Sequence, residues 1–156
     1  MSQSSDPIKS AQRTIRLELD AVKGLLGQIG EDFVRACELI LASKGRVVVV
    51  GMGKSGHIGN KIAATLASTG TTAFFVHPAE ASHGDMGMIT RDDTLLALSN
   101  SGSTQEIITL LPLIKRMGIT LISMTGNPDS PLARAADVNL NVRVEHEACP
   151  LNLAPT

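Results

Sequence analysis

The stretch VVVVGMGKSG, residues 47–56, places four consecutive valines directly before a glycine-rich turn. A short apolar run of this kind is typical of a strand in a parallel sheet that is buried on both faces. Ligands bind such sheets at the carboxyl ends of the strands, where loops meet helix N-termini. The stretch therefore predicts a strand that is buried on both faces and is followed by a ligand-binding loop.

Similar apolar runs recur along the chain, with helix-length segments between them. The predicted strands are residues 47–50, 73–76, 94–98, 120–124 and 138–142, and the segments predicted as helices or helical turns are residues 55–68, 78–88, 104–117 and 131–136. The first three strands are nearly all apolar, so we expect both of their faces to be buried. Alternation of strands with helices indicates βαβ crossovers. The predicted fold class is α/β, a three-layer doubly wound sandwich around a five-stranded parallel sheet.

Residues 1–45 precede this pattern as a helical lead-in. Apolar side chains recur there at helical spacing, in two runs that Gly30 separates. The first run is Ile15, Leu19, Val22, Leu26 and Ile29, and the second is Phe33, Val34, Cys37, Ile40 and Leu41. We expect the first helix to contact another chain, to cover one face of the domain, or to do both. Because no linker or repeat interrupts residues 1–156, we expect them to form a single domain.

The composition argues against several classes of partner. The 156 residues carry a net charge of −1 and include no Trp, no Tyr and three Phe, so no nucleic-acid-binding surface is expected. No apolar run is long enough to span a bilayer, and the N-terminus lacks the pattern of a signal peptide. Cys37 and Cys149 show no disulfide or metal spacing, which favours a cytoplasmic protein. The charged fraction, 19%, is low enough to suggest a homo-oligomer.

The glycine turn matches the G-x-G-x-x-G pattern of dinucleotide sites, but its surroundings do not match. Such sites have an acidic residue at the end of the second strand, whereas this strand is followed by His77 and Pro78, with no carboxylate before Glu80. A P-loop would need glycine where Val48 stands. We therefore expect no nucleotide and no other cofactor.

A second loop, SNSGST at residues 99–104, follows the third predicted strand. Its hydroxyl and amide side chains lie at a predicted helix N-terminus, where free backbone N–H groups add further donors. A phosphate monoester presents several acceptor oxygens that such donors satisfy. The alternative is that these residues merely cap the helix. Because a cap needs only one of them, the cluster favours a phosphate site.

Four segments together resemble the sugar isomerase (SIS) domain family and, within it, the arabinose-5-phosphate isomerases. They are VVVVGMGKSGH at 47–57, HPAEASHGD at 77–85, SNSGST at 99–104 and EACPLNLAPT at 147–156. The resemblance covers essentially the whole chain. It implies interconversion of D-ribulose 5-phosphate and D-arabinose 5-phosphate, a step that supplies the lipopolysaccharide sugar Kdo. It also implies a homotetramer, arranged as a dimer of dimers with active sites near subunit contacts.

The resemblance also assigns residues to the site. The phosphate would be held by Ser55, Ser99, Ser101 and Thr104, and we add Gly53 and Asn100 from the same two loops. The family's catalytic positions match Lys54, Glu106 and Glu147. A further family histidine, in an S-H-P-G-G segment, lies beyond Thr156, as do the CBS domains of many members. We therefore expect the C-terminal end to be truncated.

Aldose–ketose isomerisation needs a base near C1 and C2 and a cation or donor beside the developing oxyanion. Glu147 is expected to be the base and Lys54 the electrophile. Glu106 is expected to orient Lys54 or to carry protons between the sugar oxygens. His83 would assist ring opening or line the sugar pocket. This chemistry requires no metal, and the histidines around residue 80 lack the spacing of a recognised metal site.

Each role has an alternative. Lys54 could only neutralise the phosphate, Glu106 could only stabilise a helix dipole, and Glu147 could belong to a solvated polar patch. The protein as a whole could be a non-catalytic sugar-phosphate sensor or an isomerase of another phosphosugar, since a fold alone does not determine function. A sensor predicts an attached DNA-binding helix-turn-helix, and residues 1–45 contain no basic recognition helix.

Overall fold

The computed structural model describes residues 6–151. The described residues divide into two compact units: one is Gly30–Arg143, and the described parts of the segments before and after it belong to the other. The helices are α1 (Pro7–Leu25), α2 (Glu31–Ala42), α3 (Gly53–Ser68), α4 (Pro78–Ser82), α5 (Gln105–Met117) and α6 (Pro131–Ala135), with a short 3₁₀ helix at Asp85–Met88. The strands are β1 (Val47–Gly51), β2 (Ala73–Val76), β3 (Thr94–Leu98), β4 (Thr120–Thr125) and β5 (Val138–Asn141).

The five strands form one sheet in the order β2-β1-β3-β4-β5, and every neighbouring pair is parallel. The predicted five-stranded parallel sheet is thus confirmed. Gly51 at the end of β1 pairs in register with Leu98 at the end of β3, so the loops after these two strands start level with each other. From β1 the chain continues to β2, on the side away from β3, and from β3 it continues to β4, on the side away from β1. This makes the β1–β3 boundary the topological switch point of the sheet.

The valines of β1 divide between two hydrophobic layers because successive side chains of a strand point to opposite faces. Val48 and Val50 pack in the cluster that includes Ile107 and Ile114 of α5. Val47 and Val49 pack on the other face, in the cluster that includes Ala36 of α2 and Ala63 of α3. All residues of β1 and β3 are buried, which explains why both sequences are almost wholly apolar. Helices on both faces complete the predicted three-layer sandwich.

One detail of the sequence prediction was wrong. The second apolar run, β2, is not buried on both faces: it is an edge strand, and only Val76 of it is buried. The segment 78–88, predicted as a helix or helical turns, forms α4 and the 3₁₀ helix, which are separate because Gly84 between them adopts a φ of +137°. That conformation is open to glycine but interrupts helical hydrogen bonding. At the other elements from β1 onward, the predicted ends differ by no more than two residues.

A buried carboxylate, that of Asp93, links the starts of β1 and β3. It lies at the amino ends of these strands, whereas the glycine turn lies at their carboxyl ends. Asp93 is 2% exposed and accepts hydrogen bonds from the Arg46 backbone N–H (2.7 Å), the Arg46 guanidinium (3.0 Å to Nη2) and the Thr90 backbone N–H (2.8 Å). Burial by itself would raise the pKa of Asp93, but the hydrogen bonds from Arg46 and Thr90 outweigh it and hold the pKa at about 2. Arg46 also stacks over the ring of Phe74, 4.7 Å from its centroid.

Helix α1 begins with a capping pattern in which Asp6 precedes Pro7. The Asp6 carboxylate accepts a hydrogen bond from the Ile8 backbone N–H at 3.0 Å, and Pro7 occupies the first helical position. No residue of α1 is buried. The predicted apolar row is exposed by more than half at each position, namely Ile15, Leu19, Val22, Leu26 and Ile29. Within residues 6–151, no helix combines the length and the apolar character needed to cross a membrane.

Candidate functional site

The carboxyl edge of the sheet brings three loops together at its centre. They are the glycine turn after β1, the loop at residues 99–104 after β3, which we call the serine loop, and the loop at residues 126–130 after β4. Because β1, β3 and β4 are adjacent and parallel, all three loops lie at the same edge. Helices α3, α5 and α6 begin at these loops, so the positive ends of their dipoles lie at this edge. An anion is the ligand that such an edge favours.

The glycine turn allows α3 to begin directly against the end of β1. A Cβ atom on Gly51 would lie 2.8 Å from the Ser55 carbonyl oxygen, and one on Gly56 would lie 2.7 Å from the Gly51 carbonyl oxygen. Gly53 has a φ of +53°, which favours glycine. The spacing of these glycines is therefore required by close packing of the helix against the strand, which accounts for the dinucleotide-like pattern.

Lys54 and Ser55 occupy the first turn of α3, as its second and third residues. Lys54 is exposed and Ser55 is half-buried. A positive charge in the first turn of a helix is opposed by the helix dipole, so a lysine is unfavourable there for stability alone. An anionic ligand at the same edge would reverse this effect. The position of Lys54 thus supports an anion-binding role more than a structural one.

In the serine loop, hydroxyl groups bind one another and the loop backbone. The Ser99 hydroxyl lies 2.8 Å from the Thr104 hydroxyl and accepts a hydrogen bond from the Gly102 backbone N–H at 3.1 Å. The Ser101 hydroxyl accepts one from the Ser103 backbone N–H at 3.2 Å. Ser99 is buried, whereas Asn100 and Ser101 are exposed. The loop is therefore preformed, with an inner hydroxyl pair and an outer polar rim.

The alternative that these hydroxyls only cap α5 does not match the geometry. Thr104 occupies the N-cap position, yet among the residues that the structure describes its side chain caps no backbone N–H of α5. Its hydroxyl is directed to Ser99 instead. The N-terminus of α5 is therefore without the N-cap side-chain bond that is usual there, and that place is open to the oxygen of a ligand.

The loop after β4 supports the serine loop, which the sequence analysis did not foresee. The Gly126 backbone N–H donates to the Asn100 carbonyl at 2.9 Å, and the Leu132 N–H donates to the Gly102 carbonyl at 3.1 Å. Ser130 is 1% exposed and caps α6 by accepting from the Ala133 N–H at 3.3 Å. A serine followed by proline, as at Ser130 and Pro131, is a sequence pattern typical of a helix start. The contact of Ser130 with the serine loop depends on the order of the strands, which the sequence did not reveal.

The predicted acid–base residues are distributed between the two units. Glu106 is the exposed second residue of α5, where a negative charge also stabilises the helix dipole, so both of its proposed roles remain compatible with its position. His83 is exposed at the end of α4, a helix that packs against α5. Glu147 is half-buried and belongs to the other unit, where the Arg13 guanidinium donates to the neighbouring Ala148 carbonyl at 3.3 Å. The structure thus groups Lys54, Ser55, Glu106 and the serine loop at one edge.

The acidic, histidine and cysteine side chains are the residues that most often hold metal ions in proteins. Within the described part of the chain, no three or more of them are grouped so that they could hold a metal ion. The donors at the carboxyl edge are hydroxyls, backbone N–H groups and the Lys54 ammonium group. These are ligands for an oxyanion rather than for a cation.

The chain is similar in sequence to curated proteins of known function. Arabinose 5-phosphate isomerase KdsD of Pseudomonas aeruginosa is 80% identical over 156 residues, which are 100% of this chain and 48% of that protein. KdsD of Francisella tularensis is 58% identical over 152 residues, 96% of this chain and 46% of that protein. The chain therefore spans about half the length of the curated relatives that it matches.

The fold has a similar solved counterpart. A protein of Escherichia coli CFT073, solved in complex with arabinose 5-phosphate, superposes with a TM-score of 0.93 at 42% sequence identity. The match covers 99% of this chain and 82% of that one. The sequence model of the SIS domain family matches residues 40–156, which include the entire sheet and all three loops of the carboxyl edge. The chain belongs to the SIS domain family.

Proposed function

We propose that this chain is the sugar-phosphate-binding domain of an arabinose-5-phosphate isomerase, which interconverts D-ribulose 5-phosphate and D-arabinose 5-phosphate. The observation that carries the proposal is the position of the serine loop. Its paired hydroxyls follow β3, next to the glycine turn with Lys54 that follows β1, at the switch point of the sheet. The names of the 80% and 58% identical relatives support the same reaction. So does the solved relative that holds arabinose 5-phosphate.

The phosphate binds between the two loops. Its oxygens accept hydrogen bonds from the hydroxyls of the serine loop and of Ser55 and from the N-terminal N–H groups of α3 and α5, while Lys54 supplies a positive charge. The residues of this binding set are Gly53, Ser55, Ser99, Asn100, Ser101 and Thr104. Neutral donors suit this task because they hold a dianion without burying further formal charges of their own.

The reaction moves one proton between C1 and C2 of the open-chain sugar. Glu147 removes a proton from C1 of D-ribulose 5-phosphate, which forms a cis-enediol, and returns it to C2 to give D-arabinose 5-phosphate. The Lys54 ammonium stabilises the charge that develops on the sugar oxygen. Glu106 carries the compensating proton between O2 and O1 or orients Lys54, and His83 lines the sugar end of the site or assists ring opening. Atoms balance without an external reductant or oxidant.

The protein acts in the cytoplasm as a homo-oligomer in this proposal, arranged as a dimer of dimers, and its product feeds the synthesis of the lipopolysaccharide sugar Kdo. The exposed apolar row on α1 supports self-association, because monomeric proteins rarely expose large contiguous apolar surfaces. The absence of disulfide spacing in the sequence supports a reducing compartment.

The reaction is tested by incubating the chain, preferably extended past Thr156, with D-ribulose 5-phosphate in deuterated water and following the products by NMR. The proposal predicts D-arabinose 5-phosphate carrying deuterium at C2, because the base exchanges its proton with solvent. Glu147→Gln should lower the rate by at least about a hundredfold, as expected for loss of a general base. Undiminished turnover by that variant would remove Glu147 from the role. Binding of the sugar phosphate without any turnover, by the chain extended past Thr156, would instead support a non-catalytic sensor.

A further inference from the structure

The serine loop rests on the first turn of α6, through contacts that are internal to the protein. The Gly102 carbonyl accepts a hydrogen bond from the Leu132 N–H at 3.1 Å. Ser130, immediately before α6, is 1% exposed, and its hydroxyl caps the helix through the Ala133 N–H. Ser130 and α6 therefore help to hold the serine loop in position, although neither contains a predicted phosphate-binding residue.

Gly102 lies directly against Ser130. A Cβ atom on Gly102 would overlap both the hydroxyl oxygen and the Cβ of Ser130, and it would lie 3.3 Å from the Thr125 methyl group. Gly102 also adopts a φ of +62°, which favours glycine. No side chain fits between the two residues, so a displacement of Ser130 is transmitted to the Gly102 backbone.

Gly102 in turn sets the inner hydroxyl pair. Its N–H donates to the Ser99 hydroxyl at 3.1 Å, and that hydroxyl lies 2.8 Å from the Thr104 hydroxyl. The contacts therefore run from Ser130 through Gly102 to Ser99 and Thr104. Each step is a hydrogen bond or a close contact between buried or half-buried groups.

We propose that Ser130 is a positioning residue for phosphate binding, and that it acts through Gly102 to hold the hydroxyls of Ser99 and Thr104 in their binding arrangement. The inference rests on the proposed function, since it concerns the same phosphate monoester in the same loop. Ser130 itself makes no contact with the ligand in this account. Its effect on affinity is carried by the loop backbone.

A matched pair of capping variants separates this role from ordinary helix capping. Ser130-Pro131 and Asp6-Pro7 have the same design, a side-chain oxygen that accepts from a first-turn N–H with proline at the first helical position. Ser130→Ala and Asp6→Ala each remove one capping acceptor. We expect both to lower the unfolding temperature slightly. Only Ser130→Ala should weaken binding of D-arabinose 5-phosphate and of inorganic phosphate, by about fivefold, the equivalent of one lost cap.

The contact itself is tested by a double-mutant cycle with Gly102→Ala, Ser130→Gly and the double variant. Titration calorimetry gives the dissociation constant for D-arabinose 5-phosphate, and thermal unfolding is measured on the same samples. Gly102→Ala should weaken binding by more than about tenfold when Ser130 is present and by clearly less when Ser130→Gly opens the space. The backbone strain at Gly102 is the same in both backgrounds, so it cancels. Additive effects in the cycle would overturn the proposal.

Failure of this inference can be told from failure of the proposed function. If the unchanged protein binds neither D-arabinose 5-phosphate nor inorganic phosphate, the proposed function fails and the positioning role fails with it. If the unchanged protein binds and Ser130→Ala binds equally well, the proposed function stands and the positioning role of Ser130 is refuted. Weaker binding by Ser130→Ala, together with a smaller effect of Gly102→Ala when Ser130→Gly is present, supports both the proposed function and the positioning role of Ser130.

Discussion

The hydroxyl of Thr104 lies 2.8 Å from the Ser99 hydroxyl instead of capping α5, the helix that Thr104 precedes. In a loop with only a structural purpose, the capping bond would be the more favourable use of this side chain. The pairing of the Ser99 and Thr104 hydroxyls is better explained if an oxygen of a ligand accepts hydrogen bonds from the N-terminal N–H groups of α5. The geometry of this side chain thus favours the phosphate interpretation over the capping interpretation.

Thr104→Val removes that hydroxyl while keeping the shape of the side chain. We expect the dissociation constant of D-arabinose 5-phosphate to rise by about tenfold, the usual scale for a lost hydrogen bond to a charged group. Thr109→Val is the matched control, because Thr109 lies on the same helix and its hydroxyl donates to the Gln105 carbonyl, at 2.8 Å, within that helix. Titration calorimetry compares the two. Equal losses in both variants would count against the phosphate role of Thr104.

Asp93 gives a prediction about pH. Its pKa is lowered to about 2 in the folded chain, so its ionised form stabilises the fold at a pH above the ordinary carboxyl pKa, and this contribution is lost as the pH falls from about 4 towards 2. Asp93→Asn should reduce the free energy of unfolding at pH 7 by about 2–4 kcal/mol, because the Arg46 guanidinium loses its charged partner. Asp92→Asn is the control, because Asp92 precedes Asp93 directly and is exposed.

The measurement is chemical denaturation between pH 7 and pH 2. The unchanged protein and Asp92→Asn should lose about 2 kcal/mol more than Asp93→Asn over the acid part of this range, the amount that corresponds to the shift in pKa. Parallel pH profiles for all three proteins would show that the carboxylate of Asp93 does not stabilise the junction of β1 and β3.

At the scale of elements, the contact between β1 and α3 depends on how closely a helix can approach a strand. Gly56 faces the Gly51 carbonyl oxygen, which belongs to the backbone of a central strand and cannot move aside. Gly59, one turn later, faces side-chain atoms of Phe75 and Val49, where a Cβ would lie at 3.2 Å. The two glycines of one helix therefore differ in what an added methyl group would displace.

Gly56→Ala and Gly59→Ala form a matched series on α3. Alanine in a helix gains about 1 kcal/mol over glycine, and overpacking costs about 1–3 kcal/mol. We expect Gly56→Ala to be destabilising and to weaken sugar-phosphate binding, because it displaces the turn that carries Lys54 and Ser55. Gly59→Ala should be nearly neutral, since the side chains of Phe75 and Val49 that a Cβ would approach to 3.2 Å need to shift by only a few tenths of an ångström. Denaturant unfolding of both variants tests this, and equal stabilities would be inconsistent with the packing described.

The same scale shows what the sequence could predict. The valine run of β1 was recognisable because both faces of a central parallel strand are buried, so the apolar pattern is continuous. The run at β2 is equally apolar, but it lies at the sheet edge, and the order of strands depends on packing between distant segments. The break at Gly84 was hidden because Pro78 begins a helix convincingly and the glycine acts only through its φ of +137°.

At the scale of the whole molecule, the carboxyl edge follows from topology. The chain continues from β1 and from β3 to strands on opposite sides, so the glycine turn and the serine loop both begin at the switch point of the sheet. The two binding loops were predictable because each follows an apolar run directly. The support from Ser130 was not, because Gly102 and Ser130 are distant in sequence and meet only when β4 pairs with β3.

The central claim is that the carboxyl edge binds the phosphate of a pentose 5-phosphate. A crystal structure of the chain with D-arabinose 5-phosphate tests it most directly. We predict the phosphate between the glycine turn and the serine loop, with its oxygens within about 3 Å of the hydroxyls of Ser55, Ser101 and Thr104. A phosphate found elsewhere on the protein, with these hydroxyls unengaged, would contradict the account.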